Sequence, residues 1–312
     1  MNKIVLIAGP TCSGKSKIAL SLAQKINGVL INADSMQVYA DIPILSAQPS
    51  RDDQQSVPHL LYGHVSSTSD YSTGTWLEEA VRAIRNSWSE DKVPIVVGGT
   101  GLYFEALMAG LANIPPIPEF VRQHVRALAN RFGLAGLEER LRVLNALNGM
   151  PEVLDRQRAS RALEVRLATG MSLGEWQKRG RNPPFSFESF VPIVLKPDRQ
   201  AIYETCDARL DAMMAAGALS EVSKLAEYPQ EERRGMAFKA LGVPQLLRHL
   251  EGEMPLDAAL TEAKTATRRY AKRQFTWIAR HMIAWNGINE KEMEKIMPKI
   301  FSIIKENGLT LS

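Results

Sequence analysis

Cysteine is scarce in this sequence: its 312 residues include only Cys12 and Cys206. The two lie far apart and form none of the short paired spacings that hold zinc. Two thiols also cannot supply the several cross-links that staple small secreted domains. The sequence therefore predicts neither a disulfide framework nor a zinc site, and it favours a reducing, cytoplasmic setting.

Long apolar runs are absent as well. The apolar segment near the start, residues 3–8, is far shorter than a membrane span or the central part of a secretory signal. The five histidines, at positions 59, 64, 124, 249 and 281, show no metal-ligand spacing. We expect a protein that does not insert into a membrane and does not bind metal through histidine.

Charge of one sign is not in large excess, because the formal net charge is only +4. Positive charge is nevertheless dense in residues 156–166, 178–182 and 264–280. Local basic patches of this kind can bind polyanions even in a nearly neutral protein. The distribution of charge therefore leaves nucleic-acid binding open, although the total charge does not indicate it.

The first hundred residues alternate strand and helix patterns. Strands are predicted at residues 3–8, 29–32 and 94–97, with helices at 15–26 and 75–88, and a further strand at 190–195. This alternation predicts an α/β fold with a parallel sheet and a ligand site at the carboxyl ends of the strands.

A proline-rich segment, residues 114–118, interrupts this pattern, and residues 119–178 then read as helical. We interpret residues 115–189 as a helical insertion into a core formed by residues 1–114 and 190–285. Residues 256–283 are predicted to form one long helix. Residues 286–312 are predicted to contain a C-terminal helix that packs outside the core.

A phosphate-binding motif follows the first predicted strand. It matches G-x-x-x-x-G-K-[ST] at every fixed position and opens a predicted helix, which is the context that supports such a motif. Its backbone N–H groups and helix N-terminus bind phosphate oxygens, the lysine adds a mobile charge, and the last hydroxyl can ligate Mg²⁺. The motif predicts a diphosphate or triphosphate ligand with Mg²⁺. Its residues are Gly9, Pro10, Thr11, Cys12, Ser13, Gly14, Lys15 and Ser16.

Asp34 follows the second predicted strand. In a parallel sheet this position lies at the crevice beside the phosphate loop. A carboxylate there can ligate Mg²⁺ or accept a proton from a nucleophile. The alternative is an aspartate that caps the next turn through its own backbone, which is common after strands.

Five motifs together resemble the bacterial tRNA dimethylallyltransferase family. They are GPTCSGKS at residues 9–16, DSMQVY at 34–39, VGGTGLY at 97–103, SRALEV at 160–165 and KRQFTW at 272–277. They occur in the order typical of the family over about 270 residues. Two segments depart from the family pattern: residues 42–49 lack a lysine, and Thr205 stands where a second arginine is common.

The resemblance implies a fold, a reaction and partners. The fold is a P-loop NTPase-like core with a helical tRNA-binding insertion. The reaction transfers a dimethylallyl group from dimethylallyl diphosphate to the exocyclic N6 amine of the adenine 3′-adjacent to the anticodon, and it releases diphosphate. The resemblance further implies Mg²⁺ as cofactor, the tRNA anticodon stem-loop as partner, and a cytoplasmic monomer.

The resemblance also implies residue roles. Asp34 would be the general base, and Thr11, Lys15 and Arg209 would act on the diphosphate, with Ser16 on Mg²⁺. The residues implied in tRNA binding are Asp34, Ser35, Met36, Gln37, Thr100, Arg122, Gln157, Arg158, Ala159, Ser160, Arg161, Lys272, Arg273 and Gln274.

The basic segment at residues 267–277 has two interpretations. Its cations align along a helix and can meet phosphates, while its aromatic side chains or Gln274 can meet unstacked bases. Alternatively, the cations form a solvated face and Phe275 and Trp277 belong to the core. The family resemblance favours RNA contact for the cations and a structural role for the aromatics.

Three other functions share parts of this sequence pattern. A P-loop kinase shares the phosphate loop and the acid, and residues 115–189 would then form a lid over ATP. An adenylate isopentenyltransferase shares the loop, the acid and the allyl donor, but it needs neither basic segment. A nucleic-acid-binding ATPase shares the loop alone.

Overall fold

The computed structural model describes residues 2–230, 232–233, 235–290 and 292–309. The chain divides into two compact units. The core unit comprises Met1–Met108 and Phe185–Ser312, and the insertion unit comprises Ala109–Pro184. The insertion therefore begins and ends about five residues earlier than the predicted 115–189.

The strands and helices follow one another closely along the chain. The strands are β1 (Ile4–Ala8), β2 (Gly28–Asn32), β3 (His59–Leu60), β4 (Val93–Gly98), β5 (Leu111–Ala112), β6 (Arg181–Asn182), β7 (Phe190–Leu195) and β8 (Asn286–Ile288). The helices are α1 (Lys15–Ala23), α2 (Arg51–Ser56), α3 (Thr73–Ser89), α4 (Gly101–Ala109), α5 (Glu119–Val143), α6 (Arg156–Thr169), α7 (Leu173–Lys178), α8 (Arg199–Ala215), α9 (Ala218–Leu225), α10 (Val243–Leu250), α11 (Leu256–His281) and α12 (Met293–Glu306).

The core unit is built on a six-stranded parallel sheet in the order β3-β2-β4-β1-β7-β8. β1 is central: Ile7 pairs with Val97 of β4 on one side and with Ile193 of β7 on the other. Every residue of β1 and β2 is buried. A parallel sheet covered on both faces requires such continuous apolar strands, which is why the sequence predicted them correctly.

Successive side chains of β1 enter two different cores because they point to opposite faces of the sheet. Ile4 and Leu6 pack with Trp76 and Phe104 on one face. Val5 and Ile7 pack on the other face with α1 and with buried isoleucines of α12. The C-terminal helix therefore covers the sheet, and β8, within the segment expected to lie outside the core, extends the sheet at its edge.

The loops that follow β1, β2 and β4 leave the same edge of the sheet, because parallel strands place their carboxyl ends together. They carry the phosphate loop, Asp34 and Thr100 respectively. α8 and α11 pack on each other in the same unit. α11 is one continuous helix, as the sequence predicted.

The insertion unit is mainly helical. α5 and α6 pack closely, with Val125, Leu137 and Leu163 in their core. α5 is broken at Gly133, whose φ of 63° lies in the left-handed region that favours glycine. β5 and β6 form a two-residue antiparallel pair that joins the first and last parts of the unit. In neither unit do the described residues form a helix long and apolar enough to cross a membrane.

Candidate active site

The phosphate loop turns from β1 into α1. Gly14 has a φ of 78°, which a glycine adopts without strain, and α1 begins at the next residue. Lys15 lies over the loop, with Nζ donating to the Pro10 carbonyl oxygen at 3.4 Å. The Ser13 hydroxyl is buried and has no hydrogen-bond partner within the described protein. Because buried polar groups are normally paired, this hydroxyl points to a ligand oxygen as its partner.

Desolvation lowers the pKa of Lys15, and the Asp34 carboxylate partly opposes that effect. A cation held in a desolvated position interacts strongly with any anion that enters the loop. The α1 N-terminus adds its positive dipole end at the same point. The loop therefore combines three features that favour polyphosphate binding.

Asp34 lies directly after β2 and is held from both sides. Its backbone N–H donates to the Asn32 side chain at 2.8 Å, and its Oδ1 accepts from the Met36 N–H at 3.0 Å. The turn-capping interpretation is thus correct for one carboxylate oxygen. Among the described residues the other oxygen, Oδ2, has no hydrogen-bond partner, so the capping interpretation does not exclude the catalytic one.

The charge of Asp34 acts on three tyrosines. Burial, and then the negative charge of Asp34, raises the pKa of each of Tyr62, Tyr103 and Tyr270 well above the usual range. These phenols therefore stay protonated at neutral pH. Tyr103 itself is packed in the sheet core, where its ring stacks on Trp76 with centroids 4.1 Å apart.

Thr100 is tied to the Asp34 segment. The Ser35 N–H donates to Thr100 Oγ1 at 2.9 Å, and the Thr100 hydroxyl donates to Ser35 Oγ at 3.3 Å. This approach requires glycine at position 98, because a Cβ there would lie 2.0 Å from the Ala33 carbonyl oxygen. The VGGTGLY motif thus brings Thr100 beside the acid.

Arg209, on α8, reaches the phosphate loop. Its Nη1 lies 3.5 Å from Thr11 Oγ1 and 3.6 Å from Cys12 Sγ. A hydrogen bond from the Cys206 thiol and the Arg209 charge lower the pKa of Cys12 to about 6, against the opposing effect of burial. The pKa of Cys206 is raised in turn. No sequence pattern indicates that these thiols are neighbours, since they are far apart in the chain.

Gln274, expected to contact tRNA, is buried on α11 instead. Its Oε1 accepts from the Thr11 N–H at 2.8 Å, and its Nε2 donates to the Gly99 carbonyl oxygen at 2.9 Å. Gln37 is similarly buried, with Nε2 donating to the carbonyl oxygens of Ser46 and Ala47. Both amides are thus largely engaged within the protein, although Gln37 Oε1 keeps an unused acceptor among the described residues, and contact of either side chain with tRNA stays a prediction.

Lys272 and Arg273 are exposed on α11, as are Arg269 and Arg280, whereas Arg268 is engaged in an ion pair with Asp207 of α8. Phe275 packs against the small cluster around Cys206, and Trp277 packs against the sheet core. The structural interpretation of the two aromatics is therefore confirmed.

The insertion unit presents its own basic surface. Arg158 and Arg161 are on α6, with 63% and 43% of their side chains exposed and ion-pair partners no closer than 3.5 Å. Arg122 and Gln157 are also exposed, and Ser160 is partly so. Ala159 is fully buried between α5 and α6, so its side chain packs in the core of the insertion and only its backbone stays a predicted RNA contact.

A cleft of about 730 Å³ opens elsewhere in the core unit, between residues 40–44 and α9. Glu221 lines it and accepts the N–H groups of Ile44 and Leu45 at 2.7 and 2.9 Å. None of the phosphate-loop residues lines this cleft. The Glu221 carboxylate therefore fixes the backbone of Ile44 and Leu45, in the chain that follows Asp34.

Fold and site together define a P-loop protein: a phosphate loop at the carboxyl edge of a parallel sheet, with one acid beside it. The IPP transferase family matches residues 37–281, and the isopentenyl transferase family matches residues 2–62. The chain belongs to the IPP transferase family, which matches more than half of its length.

Relatives and solved structures agree with this membership. The tRNA dimethylallyltransferase of Azorhizobium caulinodans is 48% identical over 286 residues, which cover 90% of each chain. That of Hyphomonas neptunium is 42% identical and covers 98% of this chain and 97% of the relative. The tRNA isopentenylpyrophosphate transferase of Bacillus halodurans superposes with a TM-score of 0.70 at 28% identity, covering 98% of both chains. A eukaryotic dimethylallyltransferase acting on tRNA shares the fold, with a TM-score of 0.78 at 24% identity, covering 100% of this chain and 82% of that one.

Proposed function

We propose that this chain transfers a dimethylallyl group from dimethylallyl diphosphate to the N6 amine of the adenine 3′-adjacent to the anticodon of tRNA, releasing diphosphate. The observation that carries the proposal is the position of Asp34. It lies beside the phosphate loop, close enough to Lys15 to affect the pKa of that lysine, in a chain that belongs to the IPP transferase family.

The phosphate loop would bind the donor and stabilise the leaving group. In the reaction, the bond from the allylic carbon to the diphosphate oxygen breaks, and a bond from that carbon to N6 forms. An allylic carbon tolerates positive charge, so the main task is to stabilise the departing polyanion. Lys15, Arg209 and the α1 N-terminus supply positive charge for this, and the unpaired Ser13 hydroxyl can donate to a phosphate oxygen.

Asp34 would act on the acceptor. The exocyclic amine of adenine is a weak nucleophile because its lone pair is conjugated into the ring. As the N6–carbon bond forms, the amine becomes acidic, and the free oxygen of Asp34 accepts its proton. Asp34 is already oriented through Met36 and Asn32, so little ordering is needed at the moment of transfer.

We further propose Mg²⁺ as the cofactor. The Ser16 hydroxyl is exposed on the first turn of α1, where it can ligate a cation bound to the diphosphate. The described residues contain no group of three or more His, Cys, Asp or Glu that could hold a metal alone. A donor set of one hydroxyl plus substrate oxygens and water fits Mg²⁺, which keeps much of its hydration. The bound ion would neutralise charge on the diphosphate.

The RNA would be held through phosphates by exposed cations, among them Lys272 and Arg273 on α11, and Arg158, Arg161 and Arg122 in the insertion. Phosphate contacts of this kind fix position and register without reading sequence. Both cysteines are free thiols, which supports a reducing, cytoplasmic setting. We propose a monomeric enzyme.

The direct test is incubation with labelled dimethylallyl diphosphate, Mg²⁺ and unmodified tRNA, followed by nucleoside analysis. We expect label on adenosine N6 at a single position, and no transfer when Mg²⁺ is chelated. Free AMP is the matched acceptor control, and ATP without the allyl donor tests for phosphoryl transfer. Efficient prenylation of AMP with inert tRNA would overturn the tRNA assignment.

A further inference from the structure

One face of α11 contacts the segment that follows β4. Gln274 Nε2 donates to the Gly99 carbonyl oxygen. Trp277 packs against Gly101, the first residue of α4, where a Cβ would lie 2.1 Å from the indole Nε1. Residues 274 and 277 are spaced so that they share one side of a helix.

Gln274 also contacts the phosphate loop. Its carboxamide joins the Thr11 N–H, at 2.8 Å, to the Gly99 carbonyl oxygen, at 2.9 Å, and we call this pair of hydrogen bonds the Gln274 bridge. The side chain is only 6% exposed, so the bonds are shielded from water. The Gln274 carboxamide therefore fixes the distance between the phosphate loop and the segment that follows β4.

The two loops serve different substrates in the proposed reaction. Thr11 belongs to the loop for the donor diphosphate, whereas Gly99 precedes Thr100, which is bonded to Ser35 beside Asp34. We propose that Gln274 is a positioning residue, and that its bridge sets the distance between the donor's leaving group and the acceptor amine. This inference rests on the proposed function.

A substitution at Gly99 can disrupt the bridge without changing Gln274 itself. A Cβ added there would lie 2.3 Å from Gln274 Nε2, and its next neighbour, the Gly9 carbonyl oxygen, would be at an ordinary 3.4 Å. Gly99→Ala therefore displaces Gln274 and disturbs little else. Removing the Gln274 side chain removes the clash.

The role of Gln274 predicts a loss of turnover and not of substrate binding. The groups that would bind the diphosphate and the RNA phosphates are all retained in a Gln274→Met variant, which keeps the side-chain volume and loses both hydrogen bonds. Misplacing reacting groups by about 1 Å can cost ~10²-fold in rate. We expect kcat to fall by about this factor, with the Michaelis constants for donor and tRNA changed by only a few-fold.

The test is a double-mutant cycle on single-turnover transfer at saturating donor and tRNA. Gln274→Ala and Gly99→Ala should each lower the rate by ~10²-fold, and the double variant should be no slower than Gln274→Ala alone. Thr261→Ala, an exposed change on α11 far along the chain from the bridge, is the control and should match wild type. Assays run well below the melting temperature of every variant exclude loss of folded enzyme.

Different results would overturn different claims. If the double variant is slower by the product of the two single effects, or if Gln274→Met keeps its kcat, the bridge does not position the loops. If the variants instead lose donor or tRNA affinity at unchanged kcat, Gln274 supports binding and the inference is wrong. If wild-type enzyme transfers no allyl group to tRNA, the proposed function itself fails.

Discussion

Replacing Asp34 by asparagine separates the two roles that its two carboxylate oxygens have in the structure. One oxygen accepts the Met36 N–H at 3.0 Å and fixes the turn after β2. An asparagine side-chain oxygen can accept the same hydrogen bond, so Asp34→Asn keeps the turn. It removes the basicity of the other oxygen, together with the negative charge that acts on Lys15.

The two roles differ in magnitude. Loss of general-base assistance costs ~10²–10⁴-fold in rate, or about 3–5 kcal/mol at ~1.4 kcal/mol per tenfold. Loss of one turn-forming hydrogen bond costs about 1 kcal/mol of stability. We therefore expect Asp34→Asn to have near wild-type thermal stability and a strongly reduced kcat. Asp34→Ala should show the same kinetic defect with an additional loss of about 1 kcal/mol in stability.

The assay is single-turnover transfer to tRNA at saturating donor, with chemical denaturation run in parallel on the same preparations. Binding of unmodified tRNA should be unchanged in Asp34→Asn, since the exposed arginines and lysines are untouched. The reasoning is refuted if Asp34→Asn turns over within a few-fold of wild type, because Asp34 would then serve the turn alone.

Three further predictions concern the phosphate loop and the basic surface. Lys15→Ala should abolish transfer without lowering the melting temperature. Desolvation lowers the pKa of Lys15, and removing the side chain removes the free-energy cost of burying its charge. Normal activity at saturating donor would contradict the assignment of this loop to the diphosphate. The rate of Cys12 alkylation by iodoacetamide should rise up to about pH 7 and then level, because the pKa of Cys12 is about 6. The donor diphosphate should protect Cys12 from alkylation. A rate that still increases above about pH 8 would show an ordinary thiol. Arg158→Ala with Arg161→Ala should weaken tRNA binding and lower the log–log salt slope by up to about one unit per lost phosphate contact, whereas an unchanged slope would mean that this face is only solvated.

The sequence predicted those parts of the fold whose signal is local. β1, β2, β4 and β7 are continuous apolar runs, and α11 has a sustained helical pattern, so their limits agree within a few residues. β3 and β8 were missed because edge strands of two or three residues carry no periodicity. The insertion boundary was displaced because the β5–β6 pair is equally short.

The candidate site was predictable where a short sequence motif determines the local backbone conformation. The phosphate loop and Asp34 lie where the strand ends require, and Thr100 follows from its glycines. Contacts between distant segments were not predictable: nothing local indicates that Gln274 joins the loops of β1 and β4, or that Cys12 meets Cys206. The composition of α11 also did not predict that Gln274 is buried. Gln274 follows the exposed Arg273, but adjacent residues of a helix point in different directions.

The most direct measurement of the central claim uses an isolated anticodon stem-loop as acceptor. The site must reach an exocyclic amine that base pairing would occupy, and the narrow major groove of A-form RNA does not admit side chains to a paired base. The account predicts that a stem-loop with the adenine 3′-adjacent to the anticodon unpaired is prenylated, and that a matched RNA with that adenine paired is not. An inert stem-loop beside efficiently prenylated free AMP would contradict it.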